Sequence, residues 1–168
     1  MRTLETPRLI LRPLTPEDFE DYAAMLADPD VGRFLSAEGS MSREDSWRNL
    51  ALFLGHQQIQ GFSNFAVVEK DTECFVGRVG PWQPLGWPGL ELGWCLARRF
   101  WGRGYATEAA SMALRYCFDD LGAAEVVSLV GVGNTRSARV AERIGHQYRG
   151  DIDLRGVRCH DYGQARPT

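Results

Sequence analysis

Apolar and polar residues alternate most strictly over Leu90 to Leu96 (LELGWCL), where Leu90, Leu92, Trp94 and Leu96 point one way and Glu91, Gly93 and Cys95 the other. Alternation of that kind predicts a strand. Just downstream the period changes. Ala106, Ala109, Ala110, Ala113, Tyr116, Cys117 and Leu121 recur at helical spacing and Gly122 ends the run, which predicts a well-buried helix. Nearer the start, Thr15, Pro16, Glu17 and Asp18 supply a hydroxyl cap, an N1 proline and early acids for a helix to about Met25. Ser42 with Asp45 repeats the cap, and Trp47, Leu50, Ala51 and Leu54 share one face of a predicted second helix, Ser42 to about Gln57. The segment between them, Asp28 to Met41, reads as irregular.

The remaining runs are β-rich or short. Leu9 to Leu14 is a first strand whose end Pro13 demotes to an edge or an exit. Asn64 to Glu69 and Cys74 to Val79 flank the polar turn KDTE and predict a hairpin. Residues 80 to 89, GPWQPLGWPG, hold three prolines and are expected to leave the sheet. Val126 to Val130 is a strand, Thr135 to Ile144 a helix stopped by Gly145, and residues 147 to 164 a last strand pair around Arg155 and Gly156. This order is mixed α/β, with one crossover unit at residues 90 to 130.

Composition narrows the class. At 168 residues, 44% hydrophobic, the chain suits a single domain, residues 1–168, with its own core. A formal net charge of −3 argues against a general nucleic-acid binder, which needs a basic face. Cys74, Cys95, Cys117 and Cys159 form no CxxC pair and no cluster with histidine, so neither a metal site nor a disulfide framework is indicated, and a cytoplasmic location is expected. The amino terminus is too polar for a signal peptide, and no apolar run reaches the ~18 residues of a membrane helix, so no membrane partner is expected.

The candidate chemistry lies at residues 98 to 110, RRFWGRGYATEAA. A glycine turn between strand and helix exposes backbone N–H groups at the positive end of a helix dipole, and glycines let an anion approach closely. Arg98, Arg99 and Arg103 would add guanidinium donors, making a pyrophosphate the natural guest. The same stretch also reads as a surface turn with solvated arginines. A Walker loop is excluded because no GK[ST] is present, and a GxGxxG fingerprint would want glycine where Thr107 stands.

RFWGRG, Arg99 to Gly104, resembles the RxxGxG signature of the GNAT-type N-acetyltransferases. TPRLILRPLTPEDFEDY, ELGWCL, GRGYATEA and NTRSARVAERIGH (134 to 146) are similar, in order and spacing, to the branch related to ribosomal-protein N-terminal acetyltransferases. The resemblance implies a mixed, mostly antiparallel sheet of six to seven strands, splayed between strands 4 and 5, with about four helices. It implies acetyl-coenzyme A as co-substrate and transfer to a primary amine, either a protein N-terminus or a small cationic molecule. The pantetheine arm would pair with free backbone groups on Trp94, Cys95 and Leu96, with Gly93 as the bulge that opens the gap. Pyrophosphate contacts would fall on Arg99, Gly102, Arg103, Gly104, Tyr105 and Ala106. Asn134 would reach the cofactor arm with Ser137 beside it, although both are also ordinary turn and cap residues.

Acyl transfer needs a base for the amine, a donor for the oxyanion and an acid for the thiolate. Glu91 is the candidate base, through water; alternatively it is a solvated or salt-bridged strand residue. A backbone N–H at Leu96 or its neighbour would serve the oxyanion. The tyrosine many relatives carry seven residues after the asparagine is Ala141 here, leaving Ser137 or water as the acid, with Tyr148 and Tyr162 as further options. Cys95 admits a ping-pong route but fits better as a small core residue. His56, His146 and His160 show no ligand spacing, and His146 stands where relatives carry an aromatic, which implies packing. Asp28, Asp30, Glu38, Glu44, Asp45, Asp151 and Asp153 suggest an acidic mouth that would attract a cationic amine. Trp82 and Trp87 would cover the site or make a homodimer contact. The rival functions are a non-catalytic acyl-coenzyme A sensor and a phosphate-binding protein unrelated to coenzyme A.

Overall fold

The computed structural model describes residues 1–35 and 39–167. In chain order its elements are β1 (Leu4–Glu5), β2 (Leu9–Pro13), a 3₁₀ turn (Pro16–Asp18), α1 (Phe19–Ala27), α2 (Pro29–Gly32), α3 (Arg43–Gln60), β3 (Phe65–Glu69), β4 (Phe75–Trp82), β5 (Glu91–Leu96), a second 3₁₀ turn (Arg98–Phe100), α4 (Tyr105–Asp119), β6 (Glu125–Gly131), α5 (Thr135–Arg143), β7 (Gln147–Leu154) and β8 (Val157–Ala165). The strands form one sheet in the order β1-β2-β3-β4-β5-β6-β8-β7. All neighbours run antiparallel except β5 and β6. The mixed, mostly antiparallel sheet agrees with expectation, and the short β1 shifts the strand count so that the split falls between β5 and β6.

Each face of the sheet is covered for a reason visible in the residues. On one face, α4 sets Ala109, Ala110 and Ala113 flat against Leu9, Leu11, Phe65, Val67 and Leu92, all fully buried. On the other, Tyr22, Met25 and Leu26 of α1 with Leu50 and Phe53 of α3 cover Ala66, Phe75 and Cys95. Burying each large side chain of this kind stabilises by about 1.5–3 kcal/mol. The strict alternation of β5 thus divides its residues between two cores: Leu92 and Leu96 in the first, Cys95 in the second.

Four expectations are corrected. First, β4 does not stop at Val79 but runs through Gly80 and Pro81 to Trp82. Its ladder to β3 ends at the Phe65↔Val79 pair while its ladder to β5 continues to Trp82↔Glu91, so β4 is locally an edge strand. Pro81 sits at a rung where its missing N–H would point to the vacated side, so it costs no ladder bond. Second, Gly93 is not a bulge: it pairs in register with Gly80 in an unbroken ladder. Third, Trp47 is 60% exposed, because the buried face of α3 is Ser46, Leu50, Phe53 and His56, one residue round from the expected stripe. Fourth, the segment read as irregular holds α2, started by Pro29 and capped by the Asp28 side chain, which accepts from Asp30 N at 2.9 Å. At the β7–β8 tip, Arg155 (φ 53°) and Gly156 (φ 84°) both take the left-handed conformation that a two-residue hairpin turn requires.

Candidate active site

β5 and β6 leave a cleft through the sheet. Their parallel pairing consists of one rung, Glu91↔Val127, with Val127 N donating to Leu90 O at 2.9 Å. One residue further on, Ser128 Oγ donates to Leu92 O at 2.7 Å, so a side chain takes over where the backbone ladder ends. Beyond that point the strands part. The ladder with β4, fixed by Ala97 N donating to Val76 O, turns the backbone groups of Leu92, Trp94 and Leu96 toward β6 and those of Cys95 toward Arg78 on β4. The expected trio of pairing groups therefore reduces to Trp94 and Leu96, and Leu96 O already accepts from Trp101 Nε1 at 2.8 Å. The cleft encloses about 130 Å³ and is lined by Arg78, Glu91 and Gly93 from one face and by Trp94, Asn134 and Ser137 from the other.

The glycine turn lies at the head of α4. Gly102 (φ 78°) and Gly104 (φ 80°) adopt left-handed conformations, which aim successive amides outward. Among the described residues the backbone N–H groups of Gly102 through Thr107 have no acceptor within the protein, and Gly104 caps the helix without a side chain. That is a concentrated set of donors at the positive end of a fifteen-residue helix. The loop is held from outside its own motif. Arg8 donates through Nη1 to Arg103 O at 3.0 Å, pairs with Glu108 at 2.6 Å and lies 4.5 Å over the Tyr105 ring, while Tyr105 Oη donates to Glu69. Of the arginines, Arg103 stands 3.7 Å from Glu69, Arg99 Nη2 donates to Phe75 O at 3.5 Å, and Arg98 pairs with Asp30 at 3.0 Å. Ala106 falls in the first turn of α4, where its amide is one of the open donors.

Glu91 occupies the last rung before the split, in a half-buried position. Burial pushes its carboxyl up to about 7; the Trp87 indole, which donates to Oε2 at 2.6 Å, and the Arg78 charge act in the opposite direction without cancelling it. The proline-rich loop thus covers this carboxylate. Trp82 in turn packs on Phe53 and His56, at centroid distances of 4.6 and 4.3 Å, and the Arg155 guanidinium at the β7–β8 tip lies 5.5 Å over the Trp87 ring.

Asn134 caps α5, its Oδ1 accepting from Ser137 N at 3.2 Å, and Ser137 Oγ accepts from Trp94 Nε1 at 3.0 Å. Trp94 therefore bridges the cleft to α5, leaving the Ser137 hydroxyl hydrogen free to point elsewhere. Ala141 is fully buried in a cluster with Val130 and Tyr162. Tyr148 is spent on Asp151, to which it donates at 2.8 Å. Burial raises the Cys95 thiol pKa, and its Sγ touches Met25 Sδ at 4.0 Å, the surroundings of a core thiol and the reverse of an activated nucleophile.

Three acids of the expected mouth are neutralised in place. Asp30 pairs with Arg98, Asp45 with Arg48, and Asp151 with Arg158 and His160; Asp28 caps α2, and Asp153 accepts from Gly156 N. Glu38 lies outside the described residues. Sequence reasoning missed three participants: Arg78, Arg8 and Glu69. Arg78 and Glu69 signalled only a position on a strand and Arg8 only a turn before one, and partners across the fold do not show along the chain.

A sheet parted between two parallel strands, with a glycine-rich helix start beside the parting, is the architecture of an acetyltransferase. Residues 8–147 match the acetyltransferase (GNAT) domain, and the chain belongs to that family. It is similar to the uncharacterized protein YkkB of Bacillus subtilis, 33% identical over 86% of this chain and 85% of the relative, and to the uncharacterized N-acetyltransferase YnaD of the same organism, 25% identical over 88% and 84%. Among solved structures it is similar to an acetyltransferase from Agrobacterium tumefaciens, 30% identical with a TM-score of 0.87 over 99% of this chain and 95% of that one. The ribosomal α-N-protein acetyltransferase RimL in complex with coenzyme A shares the fold, with a TM-score of 0.79 at 15% identity over 98% of each chain. Among the described residues no helix is long and apolar enough to cross a membrane.

Proposed function

We propose that the chain, as one domain, moves the acetyl group of acetyl-coenzyme A directly to a primary amine. One observation carries this: β5 bears the high-pKa carboxylate of Glu91 in the cleft, turns the backbone edge of Trp94 and Leu96 away from its β4 ladder, and leads directly into the open amides at Gly102 to Thr107. The amides of the glycine turn, with Arg99 and Arg103, suit the pyrophosphate, and their lack of protein acceptors is what a bound anion would satisfy. The edge groups of Trp94 and Leu96 suit the amides of the pantetheine arm, and Asn134 and Ser137 face them from α5. When bound, the thioester supplies an activated acetyl carbonyl.

Glu91 has the pKa of a base that works near neutrality. Through an intervening water it takes a proton from the acceptor ammonium, and the freed nitrogen lone pair attacks the carbonyl carbon. The Leu96 N–H stabilises the oxyanion. As the C–S bond breaks, Ser137 is placed to give its hydroxyl proton to the departing sulfur and to regain, through water, the second proton that the acylated nitrogen sheds. Four separated thiols suit a reducing cytosol, where we place the protein.

Thiol release measured with a panel of amines tests the proposal. Acceptor-dependent release that falls by at least about a hundredfold in Glu91→Gln supports it. Tight binding of coenzyme A with no acceptor-dependent release would favour the sensor function instead, which Ala141 in place of a tyrosine alone recommends.

A further inference from the structure

Arg78 enters the cleft from β4 and carries a permanent charge. Its Nε donates to Tyr22 Oη at 3.1 Å and its Nη1 to Asn64 Oδ1 at 2.7 Å, and the guanidinium lies 4.3 Å over the Phe53 ring. All of these partners are neutral. Among the described residues no carboxylate lies within ion-pair distance of it, whereas Arg8, Arg98 and Arg103 each have one. The carboxylate whose charge reaches it, Glu91, is one that burial holds against ionisation, so the enclosed charge is under-compensated, and a fold that keeps one gains by receiving an anion there.

The sheet register places that charge relative to the reacting centre. Arg78 pairs with Cys95, Gly80 with Gly93, and Trp82 with Glu91, so Arg78 and Glu91 share one face, on rungs separated by the bare glycine pair. Both side chains line the one cleft, and the space between them is open to a small molecule with a hydrogen bond at each end. Gly93 keeps the floor between them bare: a Cβ there would meet only Glu91 Oε1, at 3.8 Å.

Resting on the transfer reaction proposed above, we infer that the acceptor is a small α-amino carboxylate, its carboxylate held by Arg78 and its nitrogen beside Glu91. Pairing of Asp30, Asp45 and Asp151 with arginines weakens the attraction for a cationic amine that the sequence suggested. The cleft itself offers one cationic and one acidic group, the complement of a zwitterion.

The probes are the twenty L-α-amino acids, each compared with its carboxamide, in thiol-release assays and in titrations followed by tryptophan fluorescence. For at least one side chain the free carboxylate should exceed its amide in kcat/KM by about tenfold to a hundredfold, the worth of a hydrogen-bonded charge pair. Arg78→Gln should bring the two to near parity, Arg78→Lys should restore part of the preference, and Gly93→Val should abolish turnover with retained thermal stability. Release with amines that shows no preference for the carboxylate overturns this inference and leaves the transfer reaction standing. Saturable, Arg78-dependent binding of an amino acid without release supports the anion site and overturns the transfer reaction. Absence of both release and binding across the panel overturns the inference.

Discussion

His146 is 3% exposed, and neither ring nitrogen has a hydrogen-bond partner. Burial first, and the nearby Arg149 charge second, push its pKa from 6.5 down to about 4, against a weaker opposite pull from Asp161. The folded imidazole is therefore neutral, while the unfolded one gains a proton below about pH 6.5. A base whose folded pKa is depressed contributes stability in full above pH 6.5 and loses it as the pH falls toward 4. With these two values the loss at pH 4.5, relative to pH 8, is about 2.5 kcal/mol from this one side chain. His146→Phe removes that term and also the unsatisfied ring N–H, worth about 1–3 kcal/mol at any pH. The variant should be the more stable protein in urea titrations at pH 7, and its lead should widen by about 2.5 kcal/mol at pH 4.5. Other acid-sensitive groups, such as Asp151 with its pKa near 2, are common to both proteins and cancel in the difference. A lead that stays constant between the two pH values would refute a buried, neutral His146.

Glu91, raised to about 7, must be ionised to accept a proton, so kcat/KM should rise with pH through about 7 and this limb should vanish in Glu91→Gln. Trp87→Phe removes the donor that favours the carboxylate, so the limb should move to higher pH in the same rate profile. Gly104→Ala places a Cβ at φ 80° and 3.5 Å from Arg8 Nη2; it should lower stability by about 1–2 kcal/mol in thermal unfolding and weaken coenzyme A binding by calorimetry. Cys95→Ala should keep acetyl transfer, and mass spectrometry of enzyme incubated with acetyl-coenzyme A alone should show no added acetyl group.

Much of the fold was legible because its signals are local. Ser42 does cap α3, Gly122 and Gly145 do end helices in left-handed conformations, and the alternation of LELGWCL does sort Leu92 and Cys95 into separate cores. What the chain could not reveal depends on partners far away in sequence. Pro81 stays in a strand because β3 has already ended beside it. Asp30 is neutralised by Arg98, and Glu91 owes its high pKa to burial by a loop that looked unstructured. Arg78 stood in a plain strand pattern, and only the register with β5 brings it to the same cleft as Glu91.

β1 through β5 and β6 through β8 meet at a seam where, among the described residues, the backbone ladder supplies one rung and side chains of Ser128, Glu91 and Trp94 supply the other links. A guest strand laid along Trp94 and Leu96 would act as a splint, so the molecule's stiffness becomes a readout of occupancy. Amide exchange in β6, far from the glycine turn, should slow when coenzyme A is added.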